Sequence, residues 1–369
     1  MISAHADLHN FGQQVTLEDG PEGHSIYRKP RPIFWEWLFF GSNSPLRPVL
    51  SERQLAIHGR DGTGIEIESI AEVVMGLRVE FSDLKRGLGY SFAVGRTDQK
   101  QEDAAPRDLA RFGVALAYCY AFGIQDVHYQ NIIRTKERPQ VIDAEVVLSK
   151  LILPDETILL PFGEHPWRRA GISQYVHARE AFSLDQARAL IAGFTSALVE
   201  LGRIAIPLLD AIQNDLESRP PIPIRVILRD TFRYHSGTVD SAEKPLMPEE
   251  TEQSNRRDIP YFFKFLGSNN LYSYVSREGA YARAIVPTYF QDAVKRVAVA
   301  PAQLLDPKRL GTDLLATGLL QLCRSLLPPN WNGSLELGDP RVQVNADTLS
   351  VFLPSGAFQA KRKRTAVRA

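Results

Sequence analysis

The 369-residue sequence predicts a mixed α/β (α+β) chain built in two lobes. Three observations carry this expectation. Short β-type runs broken by Gly and Pro occupy the first hundred residues, an uninterrupted helical stripe opens at Arg107, and further helix and hairpin patterns follow it. The small, strand-rich lobe is expected over residues 1–100 and the larger lobe over 101–369.

Taken in order, Val15 to Ile33 reads as a hairpin. A turn-rich break at Asp19 to His24 separates its arms, and Pro30 and Pro32 stop the second, so Lys29 closes a strand. Gly59 to Gly95 mixes strand and helix signals, and residues 97–107 read as loop. Leu109, Phe112, Leu116 and Tyr120 form the apolar face of a helix from Arg107 to about Phe122, ended by Gly123. Ile124 to Leu148 alternates a polar loop, an apolar pair, a charged turn at Thr135 to Pro139 and a buried strand Val141-Ile142-Asp143. A long amphipathic helix is expected from Leu184 to Leu209, with Pro220, Pro221 and Pro223 as its stop. Residues 236–258 are polar and without period, the text of a mobile surface segment. A helix over Pro307 to Leu327, a hairpin around Leu335 to Leu353 and a solvated basic tail at Lys361 to Arg364 complete the chain.

Composition narrows the function by exclusion. Lys and Arg number 43 against 43 Asp and Glu, so bulk charge gives nucleic acid no hold. With 44% hydrophobic and 23% charged residues the chain is not of the disordered class. The N-terminus lacks a basic region followed by an apolar run, and no stretch of about 18 apolar residues occurs, so neither secretion nor membrane association is expected and a cytoplasmic location is. Cys119 and Cys323 sit in apolar helical text and read as buried, reduced thiols, without zinc spacing.

Chemistry concentrates in a few segments. Asp126-x-His128-x-x-Asn131 followed by Asp143-x-Glu145 has the spacing of a metal-phosphate transfer site. Phosphoryl transfer asks little covalent work of a protein. It needs a carboxylate to orient the attacking hydroxyl and hard oxygen ligands for Mg²⁺ beside the phosphates. Asp126 suits the first role, and Asn131 and Asp143 the second. Lys29, in Arg28-Lys29-Pro30-Arg31, is a cation at a strand end able to neutralise phosphate. Arg225 and Arg229 fall on one face of an apolar strand, with Thr231 two residues on, an arrangement suited to bidentate phosphate capture. Gly59-x-x-Gly62-x-Gly64 and Gly87-x-Gly89 are phosphate-loop candidates at the strength of ordinary turns.

The ordered set Asp7-Leu8-His9-x-x-Gly12, Lys29-Pro30-Arg31, Asp126-x-His128-x-x-Asn131, Asp143-x-Glu145, Arg225-x3-Arg229-x-Thr231 and Asp258-Ile259-Pro260-Tyr261-Phe262 resembles the dehydratase domain of the class II lanthipeptide synthetases. The resemblance implies a two-lobed protein- and lipid-kinase-like fold. It implies an ATP- and Mg²⁺-dependent enzyme that phosphorylates Ser or Thr of a precursor peptide and eliminates the phosphate, leaving dehydroalanine or dehydrobutyrine. Lys29, with Arg31 and Arg229, is then nucleotide-binding; Asp126 and His128 are catalytic-loop residues; Asn131, Asp143 and Glu145 hold metal. Asp7, His9, Arg225 and Thr231 correspond to residues of the elimination half.

Departures from the family bound this reading. Its members carry a long segment before the first motif, which here begins at Asp7, and they continue into a zinc-dependent cyclase domain for which this chain has neither length nor ligands. Ring closure is therefore not expected of it, and a separate cyclase or leader-recognition protein is an implied partner. Arg28 stands where the family usually has an aromatic residue. Two alternatives stay open: a stand-alone kinase of a peptide or small molecule, and an inactive nucleotide- or peptide-binding module.

Overall fold

The computed structural model describes residues 8, 11–58, 64–95, 104–136, 138–163, 165–236 and 244–361. With 39% helix and 22% strand the chain is α+β, as its patterns predict. The first hairpin forms where expected, β1 (Thr16–Asp19) pairing antiparallel with β2 (Ser25–Arg28). Helix α1 (Phe34–Phe40), sequence FWEWLFF, is buried along its whole length. A helix apolar all round belongs in a core. Phe39 and Phe40 pack on Phe122 and Tyr118, the Tyr118 hydroxyl donates to the Phe39 carbonyl, and Trp35 Nε1 donates to the Pro223 carbonyl.

After α2 (Arg47–Ser51) come a hairpin of β3 (Gln54–His58) and β4 (Gly64–Ser69) and a short α3 (Ile70–Val74), which Ser69 and Glu72 start by reciprocal capping. Strands β5 (Val79–Asp83) and β6 (Leu88–Phe92) complete an antiparallel sheet in the order β1-β2-β6-β5. Gly87-x-Gly89 forms the turn and strand start between β5 and β6; most of the other glycine motif lies outside the described residues.

The helix expected from Arg107 is α4 (Pro106–Ala121). Beyond it stand the small hairpin of β7 (Ile132–Arg134) and β8 (Pro139–Val141), then α5 (Leu184–Arg203). Helices α4 and α5 pack backbone to backbone. A Cβ on Gly113 would sit 2.1 Å from the Leu190 carbonyl oxygen, and one on Gly193 would sit 2.0 Å from that of Ala110. The single helix expected over Leu184 to Leu209 is two: α6 (Ala205–Glu217) follows α5 at a bend of 69°. Pro207 is the cause, because it has no N–H to give the Arg203 carbonyl and its ring crowds that group. No single helix among the described residues is long and apolar enough to cross a membrane.

The remaining elements are β9 (Ile224–Val226), α7 (Thr231–Ser236), α8 (Pro248–Asn255), β10 (Phe262–Lys264), β11 (Leu271–Tyr274), β12 (Tyr281–Ala284), α9 (Gln291–Lys295), α10 (Pro301–Leu304), α11 (Leu315–Leu326) and strands β13 to β16. Strands β9 to β12 form an antiparallel sheet in the order β12-β11-β10-β9. The polar segment expected to be mobile contains α8, whose Glu250 and Gln253 are buried; the Gln253 side-chain oxygen accepts from the Tyr261 N–H. Its polar residues serve as internal anchors, which no hydrophobic period reveals. Residues 237–243 of that segment lie outside those described. In place of a terminal hairpin, β13 (Gly333–Glu336), β14 (Arg341–Val344), β15 (Thr348–Leu353) and β16 (Gly356–Lys361) make a four-stranded meander with alternate residues such as Val342, Val344, Leu349 and Val351 turned inward. The rest of the basic tail, past Lys361, lies outside the described residues. Cys119 and Cys323 are buried free thiols, and burial pushes Cys323 up to about 12.

Where α4 ends, Gly123 has φ of +62°, and a Cβ there would meet the Ser149 carbonyl oxygen at 1.9 Å. Gly123→Ala therefore combines backbone strain with an overlap against main chain and is expected to cost about 2–4 kcal/mol. Gly267, at φ +72°, has nothing within 4 Å of the same position, so Gly267→Ala is expected to cost only about 1 kcal/mol. Denaturant midpoints of the two variants measure the difference.

Candidate active site

Lys29 follows β2 and turns inward. Its Nζ lies 2.5 Å from Glu36 Oε2 and 3.2 Å from Asp143 Oδ1, and the residue is 7% exposed. Burial lowers the ammonium pKa, and the Glu36 carboxylate opposes that fall. Sequence reading overlooked Glu36. The signal was a carboxylate inside an otherwise apolar and aromatic helix, since a charge in that position needs a buried partner.

Arg31 joins the same group of charges. Its guanidinium contacts Asp143 Oδ1, and its Nε lies 2.5 Å from Glu145 Oε2. Arg225 on β9 pairs with Glu145 Oε1 and places its guanidinium carbon 5.2 Å from the Tyr261 ring centre; the Tyr261 hydroxyl donates to Glu145 Oε2 at 3.2 Å. The Arg225 N–H also donates to the Glu145 carbonyl at 3.0 Å. Lys29, Arg31, Glu36, Asp143, Glu145, Arg225 and Tyr261 are thus one connected network drawn from three separate stretches of the chain.

The loop after α4 is tied on both sides: Gln125 N–H donates to the Val146 carbonyl, Val127 N–H to that of Thr157 and Tyr129 N–H to that of Arg169. Within it, His128 Nε2 stands 3.8 Å from Asp126 Oδ1, and the Asn131 side-chain amide donates to the Asp126 carbonyl at 2.8 Å. The Asn131 carbonyl accepts from Ile142 N–H, so Asn131 sits across the hairpin from the residue before Asp143. Burial raises the Asp126 pKa, against the lowering pull of His128, Arg225 and His165. Asp126 and Asp143 both have left-handed backbone, φ +62° and +65°, a conformation that costs free energy and gathers at functional sites. For that reason the strand expected to run through Asp143 stops at Val141, and the reversal lets the carboxylate meet Lys29 and Arg31.

Sequence reading also missed His165. Its Nε2 lies 3.1 Å from Asp230 Oδ2, and both side chains are largely buried. No spacing announced the pair, because the two residues come from unrelated segments.

Arg229 is a correction. The strand carrying Arg225 ends at Val226, so the two arginines do not share a face. Arg229 Nε donates to Glu250 Oε1 at 2.8 Å, and its terminal nitrogens reach the Lys244 and Pro245 carbonyls at 2.9 and 2.7 Å. It braces α8 and is not turned to the acid cluster. Thr231 opens α7 directly after Asp230. Asp7 and His9 lie outside the described residues, yet their motif is anchored: Ile259 N–H donates to the Leu8 carbonyl, and Phe11 and Gly12 N–H donate to the Asp258 carboxylate at 2.9 and 2.8 Å. The first and last motifs of the series are therefore in contact, two residues from Tyr261.

For a magnesium ion the donors fit in part. Both oxygens of Glu145, expected as a ligand, are engaged by Arg31, Arg225 and Tyr261. Asp143, with a side chain 30% exposed, and Asn131, whose amide nitrogen is already used, offer the hard oxygens such an ion takes. No group of three His, Cys, Asp or Glu side chains gathers as a metal site among the described residues.

A family model described as a domain of unknown function (DUF4135) matches residues 2–175, the stretch that holds every residue of the cluster except Arg225 and Tyr261. A search of curated proteins finds no match.

Removing one partner of a buried charge pair strands the other. Lys29→Met is expected to destabilise the chain by about 3–5 kcal/mol, and adding Glu36→Leu to recover most of that loss, as a double-mutant cycle on unfolding free energy will show. For Asp126 the sign is reversed. Its folded pKa is above the ordinary 3.8, so its charged form opposes folding, and stability falls as the pH rises through the window between the two values. Asp126→Asn is expected to melt at or above the parent temperature near neutral pH, with the gap closing as the pH falls toward the ordinary carboxylate range.

Proposed function

We propose that the chain is a kinase-like, two-lobed phosphotransferase that uses ATP and Mg²⁺ to phosphorylate Ser or Thr of a precursor peptide and then eliminates the phosphate. The observation that carries this reading is the convergence of Lys29, Arg31, Asn131, Asp143 and Arg225 with Asp126, residues far apart in the chain, in one partly open charged cluster. The same residues carry the resemblance to the dehydratase domain of the class II lanthipeptide synthetases.

In the first half-reaction Asp126 accepts the proton of the substrate hydroxyl as its oxygen attacks the terminal phosphorus. The raised pKa of Asp126 suits a base that must bind that proton. Lys29, held by Glu36, offers a fixed cation to the phosphates. Bound magnesium supplies the further positive charge that a triphosphate needs, and Asn131 and Asp143 are the residues that would hold it. In the second half-reaction a base removes the α-proton, the electron pair forms the Cα=Cβ bond, and the Cβ–O bond breaks to release phosphate. Arg225 is the cation suited to the departing charge. His165, paired with Asp230 directly before Thr231, is the histidine we assign to this half-reaction, to which the resemblance adds Asp7 and His9.

Incubation of Ser- and Thr-containing peptides with ATP and Mg²⁺, followed by intact-mass analysis, separates the possible activities. Loss of water is the expected outcome; gain of phosphate alone marks a kinase, and no change marks a binding module. Asp126→Asn is expected to abolish all modification, and Arg225→Ala to accumulate phosphopeptide with elimination slowed about 10²- to 10³-fold. Identical behaviour of the two variants would refute the division of roles.

A further inference from the structure

A second concave site lies on the other side of Lys29. It has a volume of about 560 Å³ and is walled by the end of β2, the β5–β6 turn, Pro220 to Pro223 and strands β10 to β12. That volume is within the range of ligand sites. Its chemistry is two-sided. Phe263, Tyr274 and Tyr281 form an aromatic floor on one face of the β9–β12 sheet, the face that also carries Arg225. Lys85, Arg86 and Arg277 stand around it, and no carboxylate forms an ion pair with any of them among the described residues. Arg86 reaches across: its guanidinium lies 3.7 Å from where a Cβ of Gly279 would be. Glu278 is the acid lining this space. In a chain of zero net charge, three cations beside an aromatic floor, against the one lining acid Glu278, are a local feature that selects an anionic, partly apolar ligand.

We infer that this cavity holds an acidic segment of the peptide substrate. The inference rests on the reading of the chain as a peptide-modifying enzyme and adds where the peptide is gripped. Position supports it. Lys29 and Pro30 line the cavity, while Lys29 Nζ meets Glu36 and Asp143, and Phe263 pairs with Arg225 in the β9–β10 register. A chain held here is tethered one strand away from the acid cluster. Tyr281, 51% exposed at the rim, is the apolar contact open to an incoming chain.

The test uses a fluorescein-labelled peptide in which Glu alternates with Leu and Phe, its counterpart with Lys for Glu, and fluorescence anisotropy on the whole protein. The acidic peptide is expected to bind and the basic one not to, with affinity falling as salt is raised. Lys85→Glu with Arg277→Glu is expected to weaken binding by at least about ten-fold, whereas Lys308→Glu, an exposed reversal elsewhere, leaves it unchanged. Should the double reversal lower the thermal midpoint, Tyr281→Ala takes its place, with weakened binding again expected. Equal binding of both peptides, indifference to these substitutions, or displacement of the acidic peptide by ATP alone would overturn the inference. Peptide binding without any phosphoryl transfer would instead defeat the proposed enzyme and leave this site standing.

Discussion

A buried ammonium group cannot stand alone, and the organisation of this chain follows from how Lys29 is satisfied. Moving such a charge out of water costs several kcal/mol, which only close counter-charges return. Glu36 supplies the first and Asp143 the second, so helix α1 and the reversal after β8 are both fixed relative to the end of β2. Arg31 and Arg225 extend the constraint to Glu145 and so to β9. Three cations then face three carboxylates, with Asp126 nearby. The cluster is close to neutral, so a highly charged phosphate chain entering it brings its own cation or displaces an existing pair.

The surrounding architecture keeps this network in place. The glycine pair lets α4 and α5 touch backbone to backbone, and Gly123 allows the Asp126 loop to leave α4 against Ser149. The aromatic faces of α1 and α4 interlock through Phe39, Phe122 and Tyr118. Asp258 captures the N-terminal motif through two successive backbone N–H groups, an anion-binding use of left-handed backbone at Phe11 and Gly12. Stability and site geometry thus share the same residues.

Much of this was readable in the sequence because it is written in local terms. The β1–β2 hairpin, α4 and the segment carrying Asp126, His128 and Asn131 follow from turn residues, apolar period and motif spacing. The failures have equally specific causes. Pro207 was passed over in a strongly amphipathic run, so two helices read as one. Helix α8 has no apolar stripe because it is held by Glu250 and Gln253. Arg225 and Arg229 were given a common face by assuming a strand longer than three residues. Glu36 and His165 are partners only in three dimensions, and Glu145, expected to hold metal through the family resemblance, is claimed by two arginines.

In the proposed function this charged cluster holds a nucleotide's phosphates. Its most direct measurement is a crystal structure of the protein with a non-hydrolysable ATP analogue and Mg²⁺. The terminal phosphate is expected within hydrogen-bond distance of Lys29, with the ion on Asn131 and Asp143. A nucleotide bound out of reach of all three, with the Lys29–Glu36–Asp143 contacts undisturbed, would contradict it.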